Sequence, residues 1–225
     1  MSPHRTRSGF LGILMLDTRF PRLPGDVGNP VSFAMPVRHR VVAGASPQRV
    51  VRAGDPALLQ PFTDVARQLV GEGAAAITTS CGFLVEFQAA LQAALPVPVW
   101  TSSLLKLPQL NAPGVLTVDA LALGARHLHA AGADATVPVV GLAPGSHLQR
   151  ALLDDEATID AARAEADVVE AAQRLVARWP AVREIVLECT NMPPYAKAVA
   201  RATRRPVHHI ISLLHERWQA LEEEA

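Results

Sequence analysis

Cysteine is scarce in this chain of 225 residues: Cys81 and Cys189 are the only two, 108 positions apart. They form no CxxC motif, and no further metal-ligating residues cluster with them, so no metal site is expected. Net charge is missing as well. Lysine plus arginine and aspartate plus glutamate stand at 21 each, which leaves no basic excess to drive nucleic-acid binding. Long apolar runs are also lacking. Gly9 to Leu16, between Arg7 and Asp17, is too short to span a bilayer, and no small-residue cleavage site follows it. It reads as a buried strand rather than as a signal or anchor. The expectation is a cytoplasmic protein with reduced thiols, partnered by neither membrane nor nucleic acid.

The chain has ample core-forming material, with 49% apolar residues and a mean hydropathy of +0.18, enough for one domain or two small lobes. Phe10 to Leu16 is a continuous apolar run of strand length, as in a parallel strand covered on both faces. Val37–Val42 reads as an exposed, edge-like strand. Residues 57–70 show helical spacing, stopped by Gly71 and Gly73. Then come a strand over 74–79, a helix over 83–94 and a strand over 97–101. The pattern restarts with a strand from Gly114, a helix over 120–131, a strand over 137–142 and a helical stretch over 154–179. A strand over 185–187, a helix over 194–203, a strand over 207–211 and a helix from His215 complete it.

The halves echo each other. Gly12 to Asp17 and Gly114 to Asp119 share a five-residue interval, and each cysteine ends an apolar run and is followed seventeen positions later by Pro-Val, at Pro98 and Pro206. Alternating strands and helices imply parallel sheets, whose ligands sit beyond the carboxyl ends of the strands. Asp17, Cys81, Asp119 and Cys189 all fall at such ends. The expectation is an α/β fold of two similar lobes, residues 8–110 and 111–211, with parallel sheets related by a pseudo-twofold axis and the active site in the cleft between them. A C-terminal helix over 212–225 should pack back on the first lobe.

The runs Thr78-Thr-Ser-Cys-Gly-Phe-Leu84 and Leu187-Glu-Cys-Thr-Asn-Met192, together with the internal repeat, resemble the aspartate/glutamate racemase superfamily. That superfamily includes cofactor-independent racemases, hydantoin racemases, maleate isomerases and arylmalonate decarboxylases. The resemblance runs from Gly9 to about His209, and Cys189-Thr-Asn is the stronger motif. Ser80-Cys81-Gly82 differs from the Cys-Asn-Thr of the amino-acid racemases in the first half. The resemblance implies a homodimer acting on a small-molecule carboxylate without a cofactor.

Paired thiols at matching strand ends suit acid–base chemistry on two faces of one substrate. Helix N-termini after Cys81 and Cys189 would lower both thiol pKa values towards neutral pH, making a thiolate available, and stabilise negative charge on a carboxylate. The leading expectation is therefore a racemase or epimerase with Cys81 and Cys189 as thiolate base and thiol acid. The alternatives are a maleate-type cis–trans isomerase with a nucleophilic cysteine, and a non-catalytic small-acid-binding protein. A decarboxylase ranks lower, because the family's decarboxylases use one cysteine. Candidate substrate-binding residues are Asp17, Arg19, Thr79, Ser80, Gly82, Phe83, Thr190, Asn191 and Tyr195. Asp17 and Arg19, with Arg22, lie in or beside a turn-rich segment over 17–30 that reads as a binding loop, in which the arginines offer forks for a carboxylate. His127 and His129, two apart on a helix, cannot make an i, i+4 metal pair.

Overall fold

A computed structural model describes residues 9–223; residue 8 of the expected first lobe and residues 224–225 of the expected last helix lie outside them. Two four-stranded sheets, both wholly parallel, repeat one topology. The first is ordered β2-β1-β3-β4, from Val37–Val41, Phe10–Met15, Ala74–Thr79 and Val99–Trp100. The second is ordered β6-β5-β7-β8, from Val139–Gly141, Pro113–Thr117, Glu184–Leu187 and Val207–His209. The fold class is the expected α/β type.

Every residue of β1 is buried, and so is every residue of β3. Central parallel strands lie between covering layers, which is why these segments read as unbroken apolar runs. One cover is α1 (Leu59–Gly71), which buries Phe62, Ala66 and Leu69; each large apolar side chain so buried contributes roughly 1.5–3 kcal/mol. The echoed glycines have a packing cause. A β-carbon on Gly12 would strike Ile77 and Leu69, and one on Gly114 would press on Leu175 and Val182. In each half the central strand needs a bare position so that its covering layer can close down.

The second half carries α5 (Ala161–Arg178), whose N-cap Asp160 accepts from the backbone N–H groups of Ala162 and Arg163, a favourable end for those orphan donors. The last helix, α7 (Ile210–Glu223), buries Ile210, Ile211, Leu213, Leu214 and Trp218 in one cluster with Leu11, Ile13, Met15, Ala75 and Ala76 of the first sheet.

Several expected helices are divided. Residues 83–94 form a 3-10 turn over Gly82–Phe87, then α2 (Gln88–Ala94). Of residues 120–131 only α3 (Ala125–Ala130) is α-helical. Of residues 154–179 only α5 is helical, and α4 (His147–Leu153) precedes the stretch. Residues 194–203 begin with a 3-10 turn over Pro193–Tyr195, and α6 (Ala196–Thr203) follows. Among the described residues no helix is long and apolar enough to cross a membrane.

Candidate active site

Each half delivers its cysteine by the same device. Beyond β3, the Ser80 N–H donates to the Leu14 carbonyl at 2.9 Å; beyond β7, the Glu188 N–H donates to the Leu116 carbonyl at 2.8 Å. Cys81 and Cys189 come next and line one cavity. Its lining repeats the symmetry: Leu16 matches Val118, Ser80 matches Glu188, Gly82 matches Thr190 and Phe83 matches Asn191. Phe20, Pro47 and Val51 add apolar walls from the first half, and Leu152 and Leu153 from the second.

The outer walls rest on a repeat absent from the sequence reading. Arg49 donates to the Gly44 carbonyl at 3.0 Å and pairs with Asp55; Arg150 donates to the Gly145 carbonyl at 2.9 Å and pairs with Glu156. The spacings Gly44–Arg49–Asp55 and Gly145–Arg150–Glu156 are identical, and would have revealed these matching arms.

Of the expected site residues, Cys81, Cys189, Ser80, Gly82, Phe83, Thr190 and Asn191 line the cavity, and Asp17, Arg19, Thr79 and Tyr195 do not. Asp17 accepts from the Gly44 N–H, a local turn bond. Arg19, its side chain 75% exposed, turns to Asp155. Thr79 donates to the carbonyls of Cys81 and Thr101, which holds the Cys81 turn. Tyr195 packs in the core. Arg22 pairs with Asp26 and donates to Thr18, its guanidinium lying 4.3 Å from the centre of the Phe20 ring. Among the described residues no arginine or lysine lines the cavity.

The halves are stitched together at the site. Thr190 Oγ1 donates to the Ser80 carbonyl at 2.6 Å. The amide of Asn191 donates to the buried carboxyl of Asp26, and Asn191 Oδ1 faces the Cys189 thiol at 3.6 Å. An Arg22–Asp26–Asn191 chain thus orients Cys189. Burial pushes Asp26 up, and Arg22 opposes this.

The expected lowering of the thiol pKa values is corrected here. Burial pushes Cys81 up to about 12, and Glu188 adds to this while the Phe83 N–H, Arg22 and the Leu84 N–H oppose it. Cys189 lies well above the usual thiol range, again through burial and then Glu188. Short 3-10 turns, not α-helices, follow both cysteines, and desolvation outweighs the few N–H donors they offer. Both thiols are neutral in the free protein.

Glu188 is the site residue that sequence reasoning missed. It is fully buried, burial pushes its carboxyl up to about 8, and Thr117 donates to it at 2.7 Å. Among the described residues no three His, Cys, Asp or Glu side chains group as a metal site.

No family model matches this chain. Three curated relatives are dimethylsulfoniopropionate lyases. One, from Durusdinium sp. clade D, is 32% identical over 89% of this chain and 71% of its own length. The chain belongs to the dimethylsulfoniopropionate lyase family. Lyases 7 and 6 of Emiliania huxleyi (strain CCMP1516) are 29% and 30% identical over 90% of this chain, which spans 64% and 57% of their lengths. The fold of these lyases' relative is that of the aspartate/glutamate racemase superfamily. Glutamate racemase from Francisella tularensis aligns at a TM-score of 0.60 and 15% identity, over 96% of this chain and 81% of its own. Unliganded arylmalonate decarboxylase aligns at 0.58 and 18%, over 89% and 86%.

These relatives, named as lyases, overturn the expectation of an isomerase, whether racemase, epimerase or cis–trans isomerase.

Proposed function

We propose that this protein is a β-eliminating lyase of dimethylsulfoniopropionate. The observation that carries the reading is the 32% identity to a dimethylsulfoniopropionate lyase over 71% of that protein. The cavity supports it. A dimethylsulfonium group is a weakly hydrated cation with an apolar surface, suited to walls built from Leu16, Val51, Val118, Leu152 and the rings of Phe20 and Phe83.

The reaction needs one base. A thiolate takes a proton from the carbon beside the carboxylate, the C–H pair becomes the C=C bond, and the C–S bond breaks. Dimethyl sulfide leaves with that bond's electrons as a neutral molecule, and acrylate remains. Because the leaving group needs no proton, the second thiol is not required as an acid. Burial and then Glu188 raise both thiols; the Phe83 and Leu84 N–H groups and Arg22 favour the Cys81 thiolate, while the Asn191 N–H favours that of Cys189 and Cys81 and Asp26 oppose it, and we take Cys81 as the base. A sulfonium bound beside the thiol raises its thiolate fraction, since an opposite charge within ~4–6 Å lowers such a pKa by about 1–3 units. With the thiol starting from about 12, the thiolate stays a minor species, and the base acts through that fraction, which is larger with the cationic substrate in place. The two free cysteines suit a reducing compartment such as the cytoplasm.

The test is direct incubation with dimethylsulfoniopropionate, following dimethyl sulfide in the headspace and acrylate by NMR. The reading predicts the two in equal amounts. Intact substrate with folded protein would overturn it.

A further inference from the structure

At the cavity, one buried polar atom goes unused. Glu188 Oε1 has no hydrogen-bond partner among the described residues, while Oε2 accepts from Thr117 Oγ1 at 2.7 Å. The side chain is fully buried and lines the cavity beside both thiols. Its position is fixed on two sides: it is the chain neighbour of Cys189, and Oε1 lies against the bare α-carbon of Gly82, next to Cys81. The matched residue of the first half differs in how it is used, because Ser80 Oγ already accepts the Leu16 N–H at 2.8 Å.

Among the described residues a small carboxylate entering this cavity meets no arginine or lysine, and the Asn191 amide is held by Asp26. An ionised Glu188 would repel it. A protonated Glu188 would instead offer an O–H···O⁻ bond, among the strong hydrogen bonds available to proteins. Burial favours that form, since the Glu188 carboxyl is pushed up to about 8. An acid kept neutral in an apolar site so that it can donate is an established enzymatic device.

We infer that Glu188, as a neutral acid, contacts the substrate and donates a hydrogen bond from its free carboxyl oxygen to the ligand's carboxylate. The inference takes its substrate from the lyase reading, but the contact with a short carboxylate stands apart from turnover. As the proton beside the carboxylate departs, negative charge grows on the carboxylate oxygens. The Glu188 bond then strengthens where it lowers the barrier.

Two probes separate the ends of the substrate: propionate for the carboxylate and trimethylsulfonium for the cation. Calorimetric binding is measured with the wild type, Glu188→Gln and Glu188→Leu. Propionate should weaken on the order of 10-fold or more in Glu188→Leu, stay within a few-fold in Glu188→Gln, which keeps a neutral donor, and leave trimethylsulfonium binding unchanged. Undiminished propionate binding in Glu188→Leu, or a loss confined to trimethylsulfonium, would overturn the inference. Should Glu188→Leu fail to fold, difference infrared spectra of the wild type decide. Propionate should shift a protonated-carboxyl band that Glu188→Gln lacks, and an absent or unmoved band would overturn it. A wild type that binds propionate in this way yet releases no dimethyl sulfide keeps this inference and rejects the lyase reading; full lyase activity in Glu188→Leu does the reverse.

Discussion

A β-carbon on Gly82 would overlap both the carboxyl oxygen Oε1 and the backbone carbonyl of Glu188. The glycine that follows the first cysteine is therefore bare because a residue 106 positions later fills its place. Gly82→Ala should push Glu188 off its position, at a cost of about 1–3 kcal/mol for overpacking. Thermal melting should fall and propionate affinity with it. A variant with wild-type melting and affinity would show that the backbone relaxes freely there.

The bond from Thr190 Oγ1 to the Ser80 carbonyl joins the two cysteine-bearing turns. Thr190→Val keeps the shape and strands a buried carbonyl, a loss of roughly 1–3 kcal/mol. Denaturant unfolding should register that loss, and turnover should fall along with it. Unchanged stability would mean that the two halves are held in register by other bonds.

Glu188 ionises at about 8, and the titratable groups facing it are the thiols of Cys81 and Cys189. Below that pH it is neutral and donates; above it, the carboxylate repels an anionic ligand. Wild-type affinity for propionate should therefore decline as pH rises through about 8, and that of Glu188→Gln should stay flat. Parallel profiles for the two proteins would assign the pH dependence to another group.

His209 is held neutral. Burial, with the nearby charges of His208 and His215, pulls it down to about 4. Its folded pKa lies below the ordinary value of about 6.5, so between roughly 4 and 6.5 the unfolded chain binds more protons. Stability present above 6.5 is lost as pH falls through that window, by at most about 3 kcal/mol and less because the ring partly meets water. Chemical denaturation at graded pH should show this loss, and His209→Gln should flatten it. An unchanged slope would exclude His209 as its source.

The fold was legible because its repeat is written in packing residues. Gly12 and Gly114 both admit a covering layer, and Cys81 and Cys189 both follow the strand next to the central one. Where local pattern met tertiary constraint, legibility ended. The helix expected over 83–94 opens as a 3-10 turn, with Gly82 wedged against Glu188. Arg19 finds Asp155, 136 positions away, instead of a ligand, a pairing that only the assembled halves create. Glu188 went unnoticed because a charged residue beside a cysteine looks like a strand-end substitution, and nothing local reveals that it is buried. For the same reason the thiols were expected to be acidic: the sequence displays the turns that follow them, but not the desolvation that outweighs those turns.

The central claim is that the Cys81 thiolate removes the proton beside the carboxylate. The most direct measurement compares dimethyl sulfide release from ordinary substrate and from substrate deuterated at that carbon, in the wild type, Cys81→Ala and Cys189→Ala. The account predicts a primary isotope effect in the wild type, a rate lower by about 10²–10⁴-fold in Cys81→Ala, and a smaller loss in Cys189→Ala with the isotope effect intact. Wild-type rates in Cys81→Ala, with the isotope effect preserved, would contradict it.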